Sequence, residues 1–438
     1  MGDELWGEET RKAIENFPVS GEPMPIAVIH WLARIKGAAA SVNHELGLLD
    51  ADRAERIVAA AAAVAAGHHD DQFPVDVFQT GSGTSTNMNV NEVVATLAGS
   101  DVHPNDHVNL GQSSNDVVPS AVHLSALEAC EQQLLPALSA LATEMRHRAE
   151  EFDELPKAGR THLMDAVPIT LGQEFGGYRA QVAEGVRRIT SALDGVRPLP
   201  LGGTATGTGL GTHPEFATRV RDRLTAEGAP ATDAPIDRFE AQAARDGLVE
   251  LSGALKVLAV SFTKIANDLA LLASGPRGGL GEIELPALQK GSSIMPGKVN
   301  PVIPEVVLQV AAQVVGNDTA ITVGGMQGNF ELNVRVPLIG RNLLQSIRLL
   351  ANAAMLLNEK CVAGVRPNVD RLRWLADHTL AAATALNPVV GYDAASAIVN
   401  DAVASGRSLR EVALEHGVDA DVLDRTLDPI RLAQGGLQ

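Results

Sequence analysis

Residues 247–274 read GLVELSGALKVLAVSFTKIANDLALLAS, the most apolar stretch of the chain. Length and composition suit either a membrane span or a long buried helix. Glu250, Lys256, Lys264 and Asp268 interrupt it, and charges at that density argue for a helix inside a soluble protein. A helix that is apolar nearly all round must be covered on all sides, in the middle of a bundle or at a subunit interface. The expectation from this one stretch is a bundle whose central helices also pack against other copies of the chain, giving an obligate homo-oligomer.

The flanking sequence agrees. Leu171, Phe175, Tyr178, Val182, Val186, Ile189 and Leu193 recur every three or four residues and mark one face of a long amphipathic helix. Segments 120–147, 302–323 and 336–360 are also helix-like, the longest extending on the order of 40 Å at about 1.5 Å per residue. Aromatic residues make up only 3% of the chain while alanine, leucine and valine dominate, which favours packed helices over sheets. The fold class expected is all-α: a long central helix bundle flanked by smaller N- and C-terminal helical domains. The 438 residues and 45% hydrophobic content furnish core for two or three domains. After residue 364, GVRPNVDRL opens a smaller tail with turn signals at Asn387-Pro388 and Gly391. The expected division is 1–112, 113–364 and 365–438. There is no repeat and no low-complexity tract.

Thirty-five basic against 53 acidic side chains give a formal charge of -18, which disfavours nucleic acid and anionic membranes as partners. An anionic substrate must then be held by local donors. Cys130 and Cys361 are too few for a disulfide framework and suit a reducing compartment. The start, MGDELWGEETRKAIENF, lacks the basic and apolar runs of a secretory signal, so a cytoplasmic location is expected.

Between the helix-like segments lie polar runs that read as loops: QTGSGTSTNMNVNE (79–92), HPNDHVNLGQSSND (103–116), GRTHLMD (159–165) and GSSIMPGKVNP (291–301). GGTATGTGLG (202–211) has neither dinucleotide-loop nor Walker spacing and reads as a tight turn. His103 and His107 are four apart, but Pro104 and Asn105 make a loop there and no third ligand is patterned nearby, so capping, hydrogen bonding or anion contact is the better account. No metal is expected. Ser, Thr and Asn side chains donate hydrogen bonds without titrating, which suits the capture of a small dianion, and equally suits turns and N-caps. Ser292, six residues before Lys298, reads either as an activated alkoxide or as part of an exposed flexible loop. His162 is either a proton carrier or a packed histidine. Glu305 either orients such a histidine or favours the start of the next helix.

These segments resemble the fumarase/aspartase superfamily, and class II fumarase in particular: GSGTSTNMNVNEV (81–93), HPNDHVN (103–109), QSSND (112–116), GRTHLMDAVPITLGQEF (159–175), GGTATGTGL (202–210), GSSIMPGKVNPV (291–302) and GNFELNV (328–334). The likeness runs in order from LWGEETRKAIENFP to LNPVVGYD. It implies reversible hydration of fumarate to L-malate, without a cofactor, by a homotetramer with a core of long helices and active sites shared between subunits. Ser292 matches the family's base, which takes the C3 proton of malate. Ser293 matches a substrate contact, and Lys298 and Asn300 match carboxylate contacts. Thr161 and His162 match the threonine and histidine of the family's THLxD segment, with His162 acting at the C2 hydroxyl, and Glu305 matches its carboxylate partner. Ser82, Gly83, Thr84, Ser113, Ser114 and Asn115 match the remaining substrate contacts.

The family's secondary anion site maps to His103, Pro104, Asn105 and Asp106, yet Gly99, Ser100 and Asp101 stand where many relatives carry a basic residue. Met164 and Gly111 also depart from the common THLQD and SQSSND without replacing a proposed catalytic group. Aspartate ammonia-lyase is the nearest alternative, but its relatives tend to read GRTQ and QSTND where this chain has Thr161-His162 and Ser113-Ser114. A catalytically silent structural member of the superfamily is the other, and it would be expected to have lost a base, cation or carboxylate contact.

Overall fold

The computed structural model describes residues 4–436. In chain order come the helices α1 (Glu8–Asn16), α2 (Ile26–Glu45), α3 (Ala51–Ala65), α4 (Thr84–Ala98), α5 (Ser114–Ala129) and α6 (Leu135–Glu151), then the strands β1 (Pro156–Thr161) and β2 (Met164–Thr170). Helices α7 (Leu171–Leu193), α8 (Phe216–Ala226), α9 (Arg238–Ala243) and α10 (Asp246–Leu272) follow. Strand β3 (Ile283–Glu284), helix α11 (Val302–Gly325), the hairpin β4 (Gly328–Asn329) and β5 (Leu332–Asn333), helix α12 (Val336–Lys360) and strand β6 (Arg366–Pro367) lead into a tail of short helices from Val369–His378 to Pro429–Gln434. Among the described residues the strands form antiparallel two-stranded pieces, β1-β2, β3-β6 and β4-β5. The fold is all-α.

The chain divides into two compact units, one of residues 1–136, 185–259 and 310–351, the other of 137–184, 260–309 and 352–438. In the first, α2 buries Val28, Ile29, Trp31, Leu32, Ile35 and Val42 and packs against α3, α5 and α8. In the second, Gln173 Nε2 donates to Ala433 O at 2.8 Å and Thr379 Oγ1 to Ala166 O at 2.9 Å, so the tail braces the β1-β2 hairpin. The tail has a small core of its own around Leu386, Ile398, Leu409, Val412 and Leu423.

Helix α10 buries Leu248, Leu251, Leu255, Leu258, Phe262, Ile265 and Leu269 along one stripe, each side chain contributing on the order of 2 kcal/mol. Its other face leaves Val257, Val260 and Leu271 exposed, Val260 by 60%. A single chain thus covers one side of this helix. Helix α11 is long and apolar enough to cross a membrane by length and composition. Midway along it, Asp318 accepts from Ser252 Oγ at 2.8 Å and pairs with Lys256 at 2.6 Å, while Asn317 Nδ2 donates to Ser346 Oγ at 3.0 Å. These polar contacts tie one face of α11 to α10 and α12.

Three sequence expectations change. Segment 79–92 is helical from Thr84, because Thr86, Asn87, Asn89 and Asn91 are buried and several bond tertiary partners instead of turning the chain: Asn89 Nδ2 donates to Gln72 O at 3.1 Å. Segment 159–165 is mostly strand, closing on a two-residue turn. The helix expected over 120–147 is α5 and α6 joined by a π-turn at Cys130–Leu134. Pro136 has no N–H to offer the preceding turn, and the wider π-turn accommodates that loss.

Candidate active site

Segment 291–301 has no regular structure, yet its neck is tied. Gly291 N donates to Lys298 O at 2.8 Å, and Asn300 Nδ2 donates back to Gly291 O at 3.0 Å. A Cβ on Gly291 would stand 2.6 Å from Lys298 O, so only glycine allows this approach. Inside the ring, the half-buried Ser292 Oγ accepts N–H bonds from Ile294 at 3.2 Å and Met295 at 3.0 Å. Two N–H dipoles on one hydroxyl oxygen favour its deprotonated form. Ser293 and Lys298 are exposed, as is Glu305 in the first turn of α11.

His162 and Leu163 form the β1-β2 turn, with φ of 57° and 61°, and Thr161 pairs with Met164 across it. Positive φ at both central positions is the type I′ geometry, normally left to Asn and Gly. Residues without glycine's freedom there store strain, which is commoner at functional sites. The turn stands on a charged base. Arg160 donates two bonds to the fully buried Glu282 at 2.8 and 3.0 Å. A cavity of about 400 Å³ is lined by His162, Arg160, Lys157, Glu174, Lys264 and Asp268 among others. Lys157 pairs with Glu174 at 2.7 Å, the single O–H of Tyr178 lies within reach of both Glu174 at 2.9 Å and Asp268 at 3.1 Å, and Lys264 pairs with Asp268. Burial pushes Glu174 upwards, but Lys157, Tyr178 and Lys264 together outweigh it and the carboxyl ends below its ordinary range.

Ser82, Gly83, Thr84, Ser113, Ser114 and Asn115 meet where α4 and α5 begin. A hydroxyl chain runs from Ser82 Oγ to Thr84 Oγ1 at 2.7 Å and on to Ser114 Oγ at 2.8 Å. Gly83 has φ 76°, and a Cβ there would lie 2.6 Å from Val118 Cγ1. Ser113 caps α5, its Oγ accepting from Asn115 N at 3.2 Å, and Asn115 Nδ2 donates to Ala205 O at 2.9 Å. Two helix N-termini carrying hydroxyls and an amide make a site suited to a carboxylate.

Two residues behind this cluster escape the sequence reading. Buried Asp116 accepts from Ser113 N at 2.9 Å and from Gly202 N and Thr204 N at 3.0 Å each. Burial raises its pKa to about 6 against those bonds. The amides of GGTATGTGLG thus do cradle an anion, the chain's own carboxylate. Lys36 is buried on α2, and the one signal for it is a lysine on a helix whose neighbours are apolar.

The segment from His103 to Asp106 opens a π-turn spanning Pro104–Val108. His103 Nδ1 accepts from Asp106 N at 3.1 Å, and His103 N donates to His107 Nδ1 at 2.8 Å. His103 Nδ1 also lies 3.2 Å from Asp106 Oδ2. Its lone pair already takes an N–H, so this contact is no ion pair. Nearby, Arg56 bonds Asp101 at 2.9 Å and holds that carboxyl down to about 2, and Arg53 stands 3.3 Å from it. Asp101 therefore neutralises the local basic charge.

Among the described residues, no three His, Cys, Asp or Glu side chains gather as metal ligands, and no ion pair joins His162 to Glu305 within the chain. Ser82 to Thr84 and Ser113 to Asn115 belong to the first compact unit, and His162, Ser292, Lys298, Asn300 and Glu305 to the second.

The family model described as "Lyase" matches residues 1–316, and that described as "Fumarase C C-terminus" matches residues 383–434. The chain is 50% identical to the fumarate hydratase class II of Mycobacterium tuberculosis, over 98% of this chain and 93% of that protein. It is 52% identical to the fumarate hydratase class II of Xylella fastidiosa, over 99% and 93%. The class II fumarase structure from Schistosoma mansoni superposes with a TM-score of 0.95 at 37% identity, over 99% of this chain and 96% of that one. The chain belongs to the class II fumarate hydratase family.

Proposed function

We propose that this chain interconverts L-malate with fumarate and water by anti elimination and addition, with Ser292 as the base. The observation that carries the reading is the Ser292 hydroxyl oxygen accepting two backbone N–H bonds inside a loop closed by Gly291 and Lys298. A serine so placed is stabilised as the alkoxide at the moment it must take a proton.

In the elimination direction, Ser292 Oγ removes the C3 proton of malate. The electron pair passes into the adjacent carboxylate, which becomes an aci-carboxylate with an extra negative charge. Lys298 and Asn300, on the same loop, together with preorganised N–H groups, stabilise that charge where it develops. The pair then returns to form the C2=C3 bond as the C2–O bond breaks, and the leaving hydroxyl takes a proton from His162 or from a water that His162 orders. Ser293 and Thr161 contact the substrate on either side. The hydroxyl cluster from Ser82 to Asn115 holds a substrate carboxylate, and Glu305 pairs with His162 and orients it.

The same reading makes the active enzyme a homotetramer whose sites draw loops from different subunits. The exposed apolar faces of α10 and α11, with Val260 60% and Val323 51% exposed, are what other copies would cover. The absence of a His162–Glu305 pair within the chain fits their meeting between copies. The enzyme is read as cytoplasmic and its reaction as a step of the citric acid cycle, with a C4 dicarboxylate as substrate, no cofactor, and neither nucleic acid nor membrane as partner. The segment His103, Pro104, Asn105 and Asp106 is where the family's second anion site maps, and Asp101, which pairs with Arg56 beside it, weighs against anion binding there.

Shared sites have a direct consequence. Ser292→Ala and His162→Asn subunits, each with about a hundredth of wild-type activity or less alone, should regain about a quarter of it when dissociated and reassembled one to one, because random assembly gives that share of intact sites. Hybrid tetramers without activity would mean that both residues serve the site from one chain.

A further inference from the structure

Lys36 makes no ion pair among the described residues, although none of it is exposed. Its Nζ instead faces three side-chain amide oxygens, Asn87 Oδ1 at 2.8 Å, Asn109 Oδ1 at 3.3 Å and Gln112 Oε1 at 3.3 Å. A neutral amine has two N–H bonds and a lone pair, which would be turned against one of those oxygens. An ammonium has three N–H bonds, one for each acceptor. The arrangement therefore fits the charged form, in opposition to burial, which lowers the Lys36 pKa to about 7. From α4 and the 109–112 turn Lys36 meets amides. From α5 it feels the charge of Asp116, whose carboxylate is occupied by Ser113 N, Gly202 N and Thr204 N.

The acceptors come from two different segments. Asn87 lies in the first turn of α4, just after Thr84, and Asn109 and Gln112 form the turn that leads into Ser113, Ser114 and Asn115. The amides also bond one another: Asn87 Nδ2 donates to Asn109 Oδ1 at 3.1 Å, and Asn109 Nδ2 to Gln112 O at 3.1 Å. One buried cation thus fastens together the two strips of backbone that begin α4 and α5.

We propose that Lys36 is a positioning residue for the carboxylate-binding half of the active site, tying the α4 N-terminus to the turn before α5 and supplying the buried positive charge on which affinity for a dianion depends. The proposal rests on the reading that Ser82 to Thr84 and Ser113 to Asn115 hold a substrate carboxylate. Lys36 touches no reacting atom in this account; it acts through the groups it holds.

The test is KM and kcat for malate and for fumarate, across pH, in the wild type and in Lys36→Met, Asn109→Asp and Ser114→Ala. Wild-type KM should be low while Lys36 is charged and rise as pH climbs through and above about 7. Lys36→Met should raise KM at neutral pH at least about tenfold, with a smaller fall in kcat, and should flatten the alkaline rise. Asn109→Asp keeps the shape but gives the ammonium a carboxylate. It should raise KM and move the rise to higher pH, and it decides the matter alone if Lys36→Met fails to fold. Wild-type KM and pH dependence in a folded Lys36→Met, or in Asn109→Asp, would overturn the proposal. Ser114→Ala separates the two readings. If it raises KM while the Lys36 and Asn109 variants do not, the role of Lys36 fails alone; if it leaves KM unchanged, the carboxylate-binding reading fails and takes the proposal with it.

Discussion

Replacing Ser292 with alanine is expected to lower kcat by about a thousandfold, the middle of the range for removing a positioned base. The fold should not notice. The Gly291 to Lys298 and Asn300 to Gly291 bonds that close the loop use no atom of the Ser292 side chain. The two N–H groups released from Ser292 Oγ, on Ile294 and Met295, belong to exposed residues and find water. KM should change little, because the carboxylate contacts proposed for Lys298, Asn300 and the Ser82 to Asn115 cluster do not involve the Ser292 side chain. Steady-state kinetics with a thermal melt of the same preparation checks this. Near-wild-type kcat in a stable protein would remove serine as the base, while a lost melt would mean that the loop carries more of the fold than its exposure suggests.

His162→Asn should be the next most damaging change, lowering kcat about a hundredfold by removing the group proposed to give or order the proton at the C2 hydroxyl. Asparagine is the right probe because His162 has φ 57°, and asparagine tolerates that region better than alanine does. The hairpin and its Arg160–Glu282 anchor should survive, so any loss belongs to the imidazole. A loss of less than about threefold would reassign His162 to shaping the turn, and the proton to water held elsewhere.

How much of this can be read from the chain varies with what each residue answers to. The long helices are legible because burial repeats along one face: Leu171, Phe175, Tyr178, Val182, Ile189 and Leu193 are all buried in α7. Asn87, Asn89 and Asn91 read as loop because composition counts them as turn formers. In the fold the amides of Asn87 and Asn89 have partners on other elements, and tertiary bonding overrides local preference there. The His162–Leu163 turn defies its own propensity, so no turn signal announces the hairpin. The Ser292 loop stands out by its glycines, proline and lysine, but the two N–H bonds to Oγ exist only once the chain has folded. Lys36 and Asp116 are illegible for a different reason: each matters through residues far away in sequence, and nothing local says which elements meet.

The central claim is hydration chemistry at this site, and the most direct measurement is the absorbance of fumarate's conjugated double bond as purified protein acts on L-malate and, separately, on L-aspartate. Fumarate should appear from malate and not from aspartate. Fumarate from aspartate alone would make the reaction an ammonia-lyase reaction and Thr161-His162 a misread pair, and no fumarate from either substrate would leave a silent scaffold carrying an intact set of side chains.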